Sequence, residues 1–186
     1  MPSPNRNRGP SAAEENRNAL VDAARRVLAE SGSAAPFSSI AREAGVGQGS
    51  LYRHFPNRAE LTLVVFEENL AQLGELAGER TTSLADFVRA VVRQAIDSVG
   101  FGEVAGGLVD DDALRPFESR FRAMAATVLA RHTDQGATPI LSVDDFLLAI
   151  RVVTSVLSMT RVDDRVRIAD EVLRLLAPTI GPVRVA

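Results

Sequence analysis

Apolar residues recur along this chain three and four positions apart, the spacing of one helical face. Leu20, Ala23, Ala24, Val27 and Leu28 form the first stripe, which Gly32 closes; Ser11 and Glu14 stand ahead of it at capping-box spacing. Phe37, Ile40, Ala41 and Ala44 repeat the pattern over a much shorter run that stops at Gly45. A third element starts near Gly47 and runs to about Phe55, because Pro56 pushes the residue before it away from helical geometry. Two helices this short are marginal alone in water. The apolar face of the first helix is available to hold them.

The remaining pattern predicts longer helices. Asn57 and Glu60 have capping-box spacing before a helix through Leu61, Val64, Val65, Leu70 and Leu73. Ser83 caps a helix that carries Leu84, Phe87, Val88, Val91, Ala95 and Val99 inward. Residues 100–112 are glycine-rich and read as a broken or short helix, the moving part of a pocket. Leu114, Phe117, Phe121, Met124 and Val128 mark the next helix, with Pro116 in its first turn. From Phe146 to Leu157 apolar residues surround most of the helix, and the last helix presents Val166, Ala169, Val172, Leu173 and Leu176. A helix apolar all round is buried on all sides, so these two are expected to pair with a second copy of the chain.

Two short helices meeting at a glycine turn form a helix-turn-helix, whose second helix is the candidate reader of DNA. At about 100° per residue, Leu51 and Phe55 fall on one face, expected to be buried, and Gly49 and Arg53 on the opposite one. Tyr52 and His54 flank them. Gly45 permits the turn, Gly47 serves as a helix cap, and Gly49, with no side chain, lets the helix tip approach a base or phosphate. Gln48 is the candidate base contact, since an amide pairs bidentately with adenine.

Charge sharpens this picture. The net charge is −3, every side-chain cation apart from histidine is an arginine, and the charges are unevenly spread. Residues 1–58 hold 8 Arg against 5 Asp and Glu, whereas the remainder holds 13 against 19. A basic end on an acidic body aims a protein at a polyanion. Other chemistries lack their residues. The chain has no cysteine and only two histidines, too few for a thiolate or histidine-built metal site. The glycine-rich stretch lacks the Gly-Lys-Ser/Thr ending of a phosphate loop. Acidic pairs at Asp110–Asp112, Asp144–Asp145 and Asp163–Asp164 fall where helices begin and read as dipole partners, not catalytic carboxylates. No nucleophile–base pair or cofactor fingerprint supports an enzyme, and no cofactor is expected. No leader segment and no membrane span is read from the sequence, so a cytoplasmic location is expected. A DNA-binding adaptor with a protein partner is the other alternative.

The run from Leu20 to Leu61 resembles the N-terminal domain of TetR-type transcriptional repressors, about the first third of the chain. The matching residues are Ala23–Ala24, Ile40–Ala41, Ala44–Gly45–Val46, Gly49–Ser50–Leu51–Tyr52–Arg53–His54–Phe55 and Asn57–Arg58–Ala59–Glu60–Leu61. The resemblance implies an all-α protein: a disordered arm at 1–10, a helix-turn-helix domain at 11–73 (the motif at about 36–55), and a helical ligand-binding and dimerisation domain at 74–186. It implies a repressor that binds a palindromic double-stranded DNA operator as a homodimer and is released by a small apolar effector. Gln48, Gly49 and Ser50 would lie at the reading end of the motif, with Arg53 beside them. Tyr52, His54 and Arg58 would meet phosphates, and Ser38 and Ser39 the backbone or an edge base. Pro36 and Gly47 depart from the family, which commonly has threonine and serine there. The effector pocket is expected among Phe87, Val91, Phe101, Phe117, Phe121, Met124 and Phe146, with Arg93, Arg120, Arg151 or Thr154 as polar fixers. The dimer interface is expected at Leu147, Ile150, Val153, Leu157, Val166, Val172, Leu173 and Leu176.

Overall fold

The computed structural model describes residues 10–105, 111–134, 142–180 and 183–185. The expected arm, apart from Pro10, lies outside these residues, as do 106–110 of the glycine-rich stretch. The described residues are all-α. Helix α1 spans Pro10–Ser31, α2 Phe37–Glu43, α3 Gln48–His54, α4 Arg58–Gly78 and α5 Leu84–Asp97. Helix α6 spans Val99–Ala105, α7 Arg115–Asp134, α8 Val143–Ser158 and α9 Arg165–Ile180.

Local chemistry accounts for most of the boundaries. Helix α1 starts at Pro10, a first helical position that has no N–H to lose. Ser11 therefore lies inside the first turn instead of capping it. Gly32 follows α1 with φ of 64°, a left-handed conformation that a Cβ disfavours. Asn57 caps α4: its Oδ1 accepts the Glu60 N–H at 2.9 Å, and its Nδ2 donates to Glu60 Oε1 at 3.2 Å. Ser83 with Asp86, and Ser142 with Asp145, form full capping boxes on α5 and α8. In both, hydrogen bonds from the serine hold the aspartate pKa below its usual value. The stripe of α5 was expected to continue through Val99, but α5 ends at Asp97 and the chain turns at Ser98 into α6. Periodicity alone did not show the break, because Val99 and Phe101 are still buried on the far side of it.

One apolar core runs through all nine described helices. Helix α6 lies in its middle, packed on α1, α5 and α8. Glycine makes that possible: a Cβ on Gly100 would lie 3.1 Å from Leu28 Cβ of α1, and one on Gly102 would lie 2.9 Å from Ala95 Cβ of α5. The C-terminal residues fold back on this body. Val183 and Val185 are buried, Arg89 Nε donates to the Arg184 carbonyl at 2.8 Å, and Asp170 accepts the Val185 N–H at 2.7 Å.

Two expectations for the C-terminal helices are corrected by burial. Ile150, Val153, Leu157 and Leu173 are at most 2% exposed within the single chain. They face α8's neighbours α5, α6, α7 and α9, not a partner. Of the other residues expected at the interface, Leu147, Val172 and Leu176 are half-buried and Val166 is exposed. The apolar surface left open is Leu148 and Val152 on α8 with Val166 and Leu175 on α9, the last at 78% exposure. In the expected pocket, Phe87, Val91, Phe101, Phe117, Phe121 and Phe146 are packed core. Phe87 lies 6.4 Å from Phe121 and 6.1 Å from Phe146, and Phe101 lies 5.9 Å from Phe117. Met124 is half-buried against Gly74 of α4, and Arg151 is exposed on α8. The expected fixers are engaged elsewhere: Arg120 pairs with Glu67 at 2.8 Å, Arg93 donates to the Val185 carbonyl, and Thr154 donates to its own helix at the Ile150 carbonyl.

Candidate nucleic-acid interface

Helices α2 and α3 have seven residues each, and their junction is held by backbone geometry. Gly45 has φ of 66°. The Val46 N–H donates to the Ala41 carbonyl at 2.9 Å and the Gly45 N–H to the Arg42 carbonyl at 3.2 Å. This pair of bonds is the Schellman motif, which satisfies the last carbonyls of α2 and turns the chain. Val46 then packs on the core. Gly47, in extended geometry, starts α3 without a side-chain cap, and Pro36 starts α2 in the same way.

Helix α3 divides cleanly by face. Leu51 is 0% exposed and Phe55 2%, both in the core shared with Leu20 and Ala24 of α1. Gln48, Gly49, Tyr52 and Arg53 are exposed, and Ser50 and His54 half-buried. A Cβ built on Gly49 would meet nothing within 4 Å, so the tip of the helix is open to an approaching surface. Tyr52 is 52% exposed, and its ring stands edge-on to Phe37 at 5.5 Å. On α2, Ser38 and Ser39 are half-buried, and the Ser39 hydroxyl donates to the Pro36 carbonyl at 2.6 Å. That bond engages Ser39 at the start of its own helix.

The arginines sort by partner. Arg25 lies 3.6 Å from Asp22 and 3.5 Å from Glu68, and Arg26 pairs with Glu43 at 2.9 Å. Arg17, Arg42 and Arg53 make no ion pair among the described residues, so the unneutralised cations of this region lie on α1, α2 and α3. Arg17 was missed by the sequence reading. Its guanidinium lies 5.2 Å from the centre of the Phe55 ring, at the end of α3. It stands three residues before Leu20 on the same helical face, a spacing that pointed toward α3. Arg58 is turned inward: its Nη2 donates to the Ala35 carbonyl, and its guanidinium lies over the Phe37 ring at 5.8 Å.

A buried apolar anchor beneath an exposed, cation-flanked helix tip defines a helix-turn-helix protein. Residues 20–65 match the family described as bacterial regulatory proteins, tetR family. The HTH-type transcriptional repressor LfrR of Mycolicibacterium smegmatis is 36% identical over 87 residues, 47% of this chain and 45% of that protein. The HTH-type transcriptional regulator AcrR of Shigella flexneri is 29% identical over 85 residues, 45% of this chain and 40% of that one. These matches span less than half the length of either relative. A crystal structure of a TetR transcriptional regulator from Streptomyces coelicolor superposes with a TM-score of 0.56 at 26% identity, covering 89% of this chain and 98% of that one. The chain belongs to the TetR family of transcriptional regulators. Among the described residues, no helix is long and apolar enough to cross a membrane.

Proposed function

We propose that this protein is a transcriptional repressor that binds a palindromic operator as a homodimer and releases it when a small, largely apolar molecule binds. In this reading residues 11–73 bind DNA and 74–186 dimerise and take the effector. The presentation of α3 carries the proposal: Leu51 and Phe55 fix the helix in the core while Gln48, Gly49, Tyr52 and Arg53 remain exposed. Gln48 and Ser50 would reach base edges, and Tyr52 and His54 would position the helix on phosphates, which carry no sequence information themselves. LfrR, similar to this chain over its first half, is named as a repressor, which supports that direction of regulation.

The exposed Leu148, Val152, Val166 and Leu175 supply an apolar surface for the twofold partner. Two α3 tips would then enter successive major grooves, ~34–36 Å apart. The effector is assigned to the phenylalanine cluster, whose rings pack on one another, so a ligand has to part them. Its leverage on DNA affinity is limited to its preference for one spacing of the tips over the other. The test is to enrich duplexes from a random-sequence library with the purified protein and weigh the complex by sedimentation. A twofold-symmetric site carrying an even number of chains is expected. Enrichment of an asymmetric site by single chains, or no enrichment, overturns the proposal.

A further inference from the structure

The position that the family resemblance assigns to a phosphate contact is used differently in this chain. Arg58 is the first residue of α4, yet its guanidinium reaches back across the motif. Nη2 donates to the carbonyl of Ala35, the residue before the cap of α2, and the plane lies over Phe37, the first residue of α2. Phe37 in turn meets the Tyr52 ring of α3. Helix α2 has no side-chain cap of its own at Pro36, so this arginine ties its entry to α4. The group is set among protein atoms: Nη1 is buried without a hydrogen-bond partner among the described residues, and burial lowers the pKa below the usual arginine value. With Thr62, Gly100, Val104 and Asp111 it also lines a cavity of about 20 Å³ where α4 meets α6.

We infer that Arg58 is an internal positioning residue, a clip that sets α2 and the Tyr52 side of α3 through Ala35 and Phe37, and not a phosphate contact. The inference rests on the DNA-binding reading for its functional consequence, but the clip itself belongs to the free protein. Chemistry separates the two roles. Lysine keeps the charge that a phosphate requires, but it lacks the planar fork that bonds a carbonyl while stacking on a ring. Tyr52 is the sole tyrosine and the chain has no tryptophan, so tyrosine emission and near-ultraviolet dichroism report on this stack alone among Tyr and Trp.

The experiment compares Arg58→Lys and Phe37→Leu with the wild type. In the free protein, both variants should change the Tyr52 emission anisotropy and dichroism while overall helicity is kept. On a duplex selected by the wild type, both should bind about tenfold or more weakly, with the slope of log affinity against log salt unchanged. The double variant should lose little beyond either single one. Near-wild-type affinity and an unchanged Tyr52 signal in Arg58→Lys would overturn the clip. So would loss of affinity with a salt slope smaller by about 0.9, which marks a lost phosphate contact. If the wild type selects no duplex, the operator reading fails, and the free-protein signal still decides the clip.

Discussion

Gly49→Ala should raise the stability of the free protein and weaken its hold on DNA, two effects of opposite sign from one methyl group. Gly49 is the second residue of α3, and an added Cβ would meet no atom within 4 Å. Its φ is not among the positive ones, which belong to Gly32 and Gly45. Alanine therefore enters without strain and gains helix propensity, about 0.5 kcal/mol at the low end of the usual range because the site lies in the first turn. For a chain of this size that corresponds to a rise in Tm of roughly 1–2 °C. At the DNA the same methyl occupies the space into which a base or phosphate has to come. Overpacking costs about 1–3 kcal/mol per site. At about 1 kcal/mol in each of two subunits, affinity falls some thirtyfold, near the 1.4 kcal/mol per decade conversion. Thermal unfolding followed by circular dichroism gives the first quantity, and fluorescence anisotropy on a labelled selected duplex gives the second. The salt slope should stay constant, since no phosphate partner is removed. Unchanged affinity would refute the close approach at α3, and lowered stability would refute the open space around Gly49.

Tyr52→Phe keeps the ring that meets Phe37 and removes only the hydroxyl, so Tm should hold while operator affinity drops several-fold; equal affinity across salt concentrations would remove Tyr52 from the contacts. Leu175→Arg places a charge on the most exposed leucine of the proposed partner surface; sedimentation should show single chains with unchanged helicity, and an intact dimer would place the interface elsewhere. The capping aspartate Asp86 has a depressed folded pKa, set first by the Ser83 hydroxyl and then by Arg89. Its contribution is therefore present above the ordinary carboxylate value of 3.8 and is lost as pH falls through the lower folded value. Asp86→Asn should melt below the wild type at neutral pH and converge with it in acid; a constant gap across pH would show that the charge of Asp86 is not involved.

The elements legible in the sequence are those whose signal is local. The Ala44–Gly45–Val46 turn, the Asn57 and Ser83 caps and the stop before Pro56 each depend on residues within a few positions, and the structure places them as read. What stayed hidden depends on residues far apart in the chain. An apolar stripe shows that a face will be covered but not by what. Ile150, Val153 and Leu157 were therefore given to a partner, although α5, α6, α7 and α9 of the same chain cover α8. Arg58 has the same difficulty in polar form. Its acceptor is the Ala35 carbonyl, 23 residues back, and a backbone acceptor leaves no mark in the sequence. The docking of Val183 and Val185 depends on Arg89, Arg93 and Asp170, which the pattern of the last helix does not reveal.

The brevity of α2 and α3 constrains how this motif works. Seven residues are too few for either helix to hold its shape alone. Their order therefore comes from Ile40, Ala41, Leu51 and Phe55 in the common core, each at most 2% exposed. Truncating a buried leucine costs about 2–5 kcal/mol, so Leu51→Ala would loosen the tip together with the core beneath it. The exposed residues of α3 carry none of that burden: changing Gln48 or Arg53 leaves the core packing as it is. Folding and recognition are thus assigned to opposite faces of one short helix. Tyr52, whose ring meets Phe37 while more than half of its surface is open, is where the two faces join. A disturbance at the Phe37 stack is therefore the shortest route by which a change inside the protein reaches a group proposed to touch DNA.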